Sequence, residues 1–145
     1  MTDIWVLAAD STEARLFTRE KSRSRLVEQQ DWLHPESRLP GRDLEQDRQG
    51  KTFASHGYGQ SDMQKRTEPK KREAADFARE LTDFLNAARA RGEFEALQIV
   101  AEPTFLGLLR ERLDEHTREM VARAVARNLT RRSPETIAEA LDQAE

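Results

Sequence analysis

Residues 4–18 read IWVLAADSTEARLFT, two apolar runs separated by a short polar turn. The first run, Ile4–Ala9, is apolar at successive positions, which is typical of a strand that a sheet buries on both faces. Residues 10–13 supply the turn, and residues 14–18 predict a second strand. The sequence therefore predicts a β-hairpin whose first strand is covered on both sides.

The segment that follows the hairpin changes from strand to loop to helix. Residues 26–33 predict a third strand, polar enough for a sheet edge and ended by Pro35. Residues 36–67 contain several glycines and show no periodicity, which predicts a long basic loop. Apolar residues spaced about 3.6 apart from Ala74 to Ala88 predict a helix that begins near Pro69, with Thr67 or Glu68 as its cap.

The second half of the chain predicts alternating strands and helices. Residues 97–101 read as a buried strand, and Pro103 begins a helix. Residues 120–129 suit a helix by composition and a strand by alternation, and parallel crossover topology favours the strand. Ser133 and Pro134 predict the start of a last helix. We therefore expect a single α/β domain over residues 1–145, with a mixed five-stranded sheet similar to the ribonuclease H-like arrangement.

Charge is distributed unevenly along the 145 residues, whose net charge is −3. Residues 38–72 hold nine basic and five acidic residues, whereas both flanking segments are acidic. A basic segment on an acidic body indicates an anionic partner such as phosphate or an RNA backbone. The alternative is a solvated loop without a partner.

Several classes of protein are disfavoured by what the sequence lacks. There is no cysteine, which excludes disulfides and thiolate metal sites. The first residues lack the features of a secretory signal, and no run approaches the length of a membrane span. We therefore expect a cytoplasmic protein that does not contact a membrane.

Metal and cofactor sites find little support. The three histidines are far apart in the sequence: His34, His56 and His116. No phosphate-binding glycine motif occurs, so we predict no metal and no cofactor. Asp10, Glu73 and Asp76 suggest a magnesium-dependent nuclease as a hypothesis. Against it, Asp10 is typical of a turn, and the other two are typical of a helix N-terminus.

The stretch HGYGQS, residues 56–61, resembles the Gly-Gly-Gln loop in the middle domain of archaeal and eukaryotic peptide-release factors. The opening VLAADSTEARLFT is also similar to the first strand, turn and strand of that domain. In that family the glutamine helps water to attack peptidyl-tRNA, so the resemblance implies Gln60 as a candidate catalytic residue. Tyr58 stands here in place of a glycine, so the loop is degenerate.

Nearly the whole chain resembles the bacterial host attachment family, described as required for attachment to host cells. The resemblance is carried by four stretches: WVLAADSTEARLF, DRQGKTFASHGYG, LQIVAEPTFLGLLRERL and VARNLTRRSPETI. It implies a role in bacterial adhesion and a relation to the release-factor middle domain. Because the sequence shows no export signal, we expect that role to be indirect.

These observations favour a non-enzymatic module whose basic loop contacts RNA or the ribosome. The residues predicted to bind are Arg48, Lys51, Gly57, Tyr58, Gly59, Gln60, Lys65, Arg66, Lys70 and Lys71. Hydrolysis of peptidyl-tRNA by Gln60 and the nuclease are the alternatives. Homodimerisation through exposed apolar patches also stays open.

Overall fold

The structure, a computed structural model, describes residues 3–34 and 59–144, and for residues 59–70 it describes the backbone alone. The strands are β1 (Ile4–Ala9), β2 (Glu13–Arg19), β3 (Val27–Leu33), β4 (Ala96–Ala101) and β5 (Val121–Val125). The helices are α1 (Gly59–Ala90), α2 (Pro103–Arg112), α3 (Glu115–Glu119) and α4 (Pro134–Gln143). None of these described helices is both long and apolar enough to cross a membrane.

The five strands form one mixed sheet in the order β3-β2-β1-β4-β5. β1 pairs antiparallel with β2, and β2 pairs antiparallel with β3. β1 also pairs parallel with β4, and β4 pairs parallel with β5. The predicted α/β fold and its mixed five-stranded sheet are confirmed, and the polar strand β3 lies at the edge as expected.

Strand β1 contributes to a separate apolar core on each face of the sheet. Leu7 and Ala9 pack in one core with residues of α1 and α2, including Phe77. Val6 and Ala8 pack in the other core with α4. Five of the six residues of β1 are buried, which explains why polar residues do not alternate with apolar ones in this strand.

Helix α1 corrects the prediction for the end of the basic loop. The helix begins at Gly59, so residues 59–67 of the predicted loop 36–67 are helical, and neither Thr67 nor Glu68 is its cap. Most residues between Gly59 and Pro69 favour helix, and the helix continues through Pro69 although proline donates no backbone hydrogen bond there. The rest of that predicted loop, residues 36–58, lies outside the described residues.

The second half of the chain follows the prediction, with one addition. Residues 121–125 form a strand, as their alternation and the topology indicated. The short helix α3 was not predicted; its N-cap is Asp114, whose Oδ1 accepts a hydrogen bond from Thr117 N at 2.7 Å. That bond holds the pKa of the Asp114 carboxyl below its usual range. Helix α4 begins as predicted, with Ser133 as its N-cap and Pro134 in the first turn.

A buried arginine joins the hairpin to the last helix. The Arg19 side chain is fully buried, and its Nη2 donates to Asp142 Oδ2 of α4 at 3.2 Å. Its other nitrogens donate to Gln98 Oε1 at 3.2 Å and to Ser24 O at 3.0 Å. Arg123 Nη1 lies 3.9 Å from Asp142 Oδ1, and that oxygen accepts no hydrogen bond from the described residues. Arg19 is therefore the main partner of a largely buried carboxylate.

Replacing Arg19 with methionine is expected to lower the free energy of unfolding by about 3 kcal/mol, because Asp142 then stays buried without its main partner. Urea unfolding measures this loss. A second substitution, Asp142→Leu, should recover most of it by removing the remaining charge. The exposed Arg110→Met is the matched control and should change the free energy by less than about 0.5 kcal/mol. A double variant as unstable as the single one would contradict the electrostatic explanation.

Candidate functional site

The residues predicted to bind RNA fall into three groups. Those outside the described part of the chain are Arg48, Lys51, Gly57 and Tyr58. Those that belong to the backbone of α1 are Gly59, Gln60, Lys65, Arg66 and Lys70. Lys71, also in α1, has an exposed side chain. Their binding role stays a prediction. The described residues show how the helix that contains six of them is attached to the sheet.

The first part of α1 extends past the end of the sheet. The chain leaves α1 beside the start of β1, because Glu95 N donates to Asp3 O at 2.9 Å. At the opposite edge of the sheet, Glu73 of α1 lies beside the last residue of β3, because its Oε1 is 3.1 Å from Nε2 of His34, the residue that follows β3. Residues 59–72 precede Glu73 and, at 1.5 Å per residue, span about 20 Å. We call these residues the basic arm, since they include Lys65, Arg66, Lys70, Lys71 and Arg72.

His34 connects three elements at the root of the arm. Its backbone N donates to Thr12 O in the β1–β2 turn at 2.9 Å. Its ring stacks on Phe77 of α1, with the centroids 4.9 Å apart and the planes 14° apart. With the Glu73 contact, these interactions fix α1 against the β1–β2 turn.

The Asp10 carboxylate organises that turn, as the sequence predicted. Its Oδ1 accepts from Thr12 N at 2.8 Å, from Thr12 Oγ1 at 2.9 Å and from Glu13 N at 3.0 Å. The described residues donate no hydrogen bond to Asp10 Oδ2. One oxygen thus holds the turn, and the other can accept a hydrogen bond from a ligand.

The three acids of the nuclease hypothesis have separate partners. Asp10 holds its turn, Glu73 contacts His34, and Asp76 pairs with Arg79 at 3.4 Å. Within residues 3–34 and 71–144, no three acidic or histidine side chains are grouped so that they could hold a metal ion. The geometry therefore lends the nuclease hypothesis no support.

A depression of about 330 Å³ lies between the β1–β2 turn and the loop that joins β5 to α4. It is lined by Asp10, Asn128, Arg131 and Arg132. Asn128 Oδ1 accepts from Thr130 Oγ1 at 3.0 Å, which leaves the amide nitrogen available as a donor. Arg131 Nε donates to Glu13, whereas Arg132 forms no ion pair with any residue that the structure describes.

Arg15 of β2 fixes this loop to the sheet. Its Nη1 donates to Thr130 O at 2.9 Å and to Arg132 O at 2.8 Å. Its Nε and Nη2 donate to the Glu28 carboxylate at 3.1 and 2.9 Å. This pairing raises the pKa of Arg15 and lowers the pKa of Glu28. One side chain thus joins the edge strand β3 to the loop that lines the depression.

Apart from Asp10, which was considered for the nuclease hypothesis, the residues that line the depression were not predicted as a site from the sequence. Asn128, Arg131 and Arg132 were noted only as part of a stretch that carries the family resemblance. A usable signal was present, because loops that follow parallel strands form ligand sites at the carboxyl edge of a sheet. Once residues 121–125 are assigned to a strand parallel to β1 and β4, the polar run that follows them belongs to that edge.

The Arg15–Glu28 pair predicts a pH dependence of stability. Because folding lowers the pKa of Glu28, the pair stabilises the protein above the ordinary glutamate pKa of about 4.3, and this contribution is lost as the pH falls through the lowered value. Glu28→Gln should therefore reduce the free energy of unfolding at neutral pH more than at about pH 3. Glu28 is partly exposed, so we expect a small difference in urea unfolding.

The control for this prediction is Glu139→Gln, which changes an exposed glutamate of α4. The free energy of unfolding of this control should differ from that of the unmodified protein by about the same amount at neutral pH and at about pH 3. If Glu28→Gln shows an equal difference at both pH values, the ion pair does not stabilise the fold.

Comparison with known proteins gives the chain a family. A search of curated proteins finds no match. The family model described as "Protein required for attachment to host cells" matches residues 5–141, which include the described strands apart from Ile4, the Asp10 turn and the loop before α4. The resemblance to host attachment proteins is thereby confirmed, whereas the relation to release factors stays a prediction. The chain belongs to the family of proteins required for attachment to host cells.

Proposed function

We propose that this protein is a non-enzymatic module whose basic arm, with the basic residues that precede it, contacts an RNA backbone. The position of the arm is the observation that carries the proposal. About 20 Å of helix, with five basic residues, extends past the edge of the sheet. A contact there would not require the sheet itself to approach the RNA.

The charge distribution supports the same contact. Residues 38–72 have a net charge of +4, and the remaining 15 basic and 22 acidic residues give the rest of the chain a net charge of −7. Phosphates are attracted by the first segment and repelled by the second. The body of the protein would therefore orient RNA towards the arm.

Ribosomal RNA is the source of RNA that we propose, because HGYGQS and the opening hairpin resemble parts of a release-factor domain. Within the family, this proposal makes the link to host attachment indirect. The protein would act in the cytoplasm on RNA or on translation, and adhesion would change as a consequence.

Binding should depend on the basic arm and weaken with salt. The variant carries Lys65→Glu, Arg66→Glu, Lys70→Glu and Lys71→Glu. We expect the unmodified protein to co-sediment with ribosomes from its own source at low salt. It should dissociate at high salt, because binding releases counterions from the RNA phosphates and a high salt concentration opposes that release. We expect the variant to stay in the supernatant at both salt concentrations.

A matched control separates the position of the charges from their number. It reverses four exposed arginines of the body: Arg79, Arg91, Arg110 and Arg127. Because the net charge of both variants is the same, a general repulsion would affect them equally. Binding that survives in the control and disappears in the arm variant supports the proposal, and equal loss in both contradicts it.

Hydrolysis of peptidyl-tRNA is a second candidate, favoured by the position of Gln60. Gly59 and Gln60 form the first turn of α1, where backbone N–H groups have no partner inside the helix. Such groups can stabilise a developing oxyanion. The resemblance to release factors implies that the glutamine helps water to attack peptidyl-tRNA, and these N–H groups would stabilise the oxyanion that forms.

The hydrolase hypothesis predicts release of the peptide from a stalled peptidyl-tRNA on the ribosome. Gln60→Ala should abolish that release without reducing co-sedimentation, because the four arm residues are unchanged. Gln64→Ala, four residues along the same helix, is the control. Release that persists in Gln60→Ala would eliminate this candidate, and binding without release in the unmodified protein would leave the binding module as the function.

A further inference from the structure

We propose that the depression beside Asp10 binds one ribonucleotide of the RNA strand, with its phosphate on Arg132 and Asn128 and its ribose hydroxyl on Asp10. The inference rests on the proposed function and extends it. The basic arm would attract the phosphates of any nucleic acid, whereas the depression would distinguish RNA from DNA.

The loop side of the depression offers donors to a phosphate. Arg132 is exposed and has no ion-pair partner in the described residues. Its guanidinium can therefore donate two parallel hydrogen bonds to two oxygens of one phosphate. The amide nitrogen of Asn128 is available because Thr130 occupies its oxygen. Arg131 adds a second guanidinium, one nitrogen of which bonds to Glu13. Phosphate contacts of this kind fix the position of a nucleotide.

The opposite side of the depression requires a donor in the ligand. Asp10 Oδ2 accepts no hydrogen bond from the described residues, and an ionised carboxylate can only accept. An inorganic phosphate dianion would be repelled there. A ribose hydroxyl donates to such an oxygen, and the 2′-hydroxyl is absent from DNA. A ligand with an anion at one end and a hydroxyl at the other therefore fits both sides.

The size and position of the depression agree with one nucleotide. Its volume of about 330 Å³ is near the lower end of the range for small-ligand sites, roughly 300–1,000 Å³. It lies where β1 and β5 end, at the carboxyl edge of the parallel strands, which is where α/β sheets bind ligands.

Both sides of the depression are fixed before a ligand binds. Three hydrogen bonds to Asp10 Oδ1 hold the turn, and Arg15 holds the carbonyls of Thr130 and Arg132. A preformed site loses little conformational entropy on binding. The hydrogen bond from His34 N to Thr12 O also places this turn at the root of the basic arm, so one strand of RNA can reach both.

The test measures the ratio of affinities for a short polyuridine RNA and for the deoxyuridine oligomer of the same length, by fluorescence anisotropy. The unmodified protein should bind the RNA about tenfold more tightly, which corresponds to one hydrogen bond to a charged acceptor. In Asp10→Asn, the amide oxygen can still accept the three bonds of the turn, but an NH2 group, which donates, replaces the second oxygen. The ratio should fall, because the 2′-hydroxyl loses its charged acceptor, and the affinity for DNA should not fall, because a negative charge is removed.

A second variant keeps the test decisive if Asp10→Asn unfolds. Arg132→Gln alters an exposed side chain and should weaken the binding of both oligomers while leaving their ratio unchanged. The matched controls are Asp83→Asn and Arg110→Gln, which alter exposed residues of α1 and α2 and should change neither quantity. An unchanged ratio in a folded Asp10→Asn, or unchanged affinities in Arg132→Gln, overturns the inference.

Titration with single nucleotides locates the contact directly. Uridine monophosphate should shift the NMR signals of the Thr12 and Glu13 amides and of the Asn128 side chain, and deoxyuridine monophosphate should shift them less. Shifts confined to the arm would overturn the inference and leave the proposed function intact. If the unmodified protein binds no RNA in a salt-dependent way, both proposals fail. Tighter binding of the mononucleotide than of the oligomer would assign the site to a free nucleotide and overturn the RNA-strand inference.

Discussion

The architecture depends on the burial of β1 on both faces of the sheet. An apolar strand of this kind requires a layer of helices on each side, which α1 and α2 supply on one face and α4 on the other. The helix that covers the second face, α4, follows β5 in the chain. The loop between β5 and α4 therefore lies beside the β1–β2 turn. The polar groups at the carboxyl edge thus come together as a consequence of how the core is closed.

The sequence predicted those parts of the fold in which local pattern and topology agree. The apolar run of β1, the polar edge strand β3 and the Ser133–Pro134 start of α4 each show their role within a few residues. Residues 121–125 needed topology as well, because their composition suits a helix. The prediction failed at α1, where the preference of Pro69 for a first turn was weaker than the helix propensity of the residues before it. It missed α3, since five residues that depend on one Asp114 cap leave no periodic signal.

Of the candidate functional region, the sequence predicted only the presence of a basic segment and not the residues that line the depression. Counting charges identifies the basic segment, but the depression depends on contacts between residues far apart in the chain. Arg15 reaches carbonyls 115 and 117 positions away, and His34 meets Glu73 across 39 positions. Asp10 was correctly assigned to a turn, and only its surroundings distinguish its two oxygens. Arg132 is one of many exposed arginines until the fold places it opposite that turn.

The bond between Arg19 and Asp142 joins positions 123 apart, and this has a consequence for the order of events during translation. The hairpin of β1 and β2 leaves the ribosome more than 100 residues before α4, the helix that covers its second apolar face. Until residues 134–143 emerge, Val6, Ala8 and Phe17 lack the buried side chains of α4 that complete the core on that face. The nascent chain therefore exposes an apolar face of the sheet that a chaperone can recognise, and folding of α4 onto the sheet buries that face.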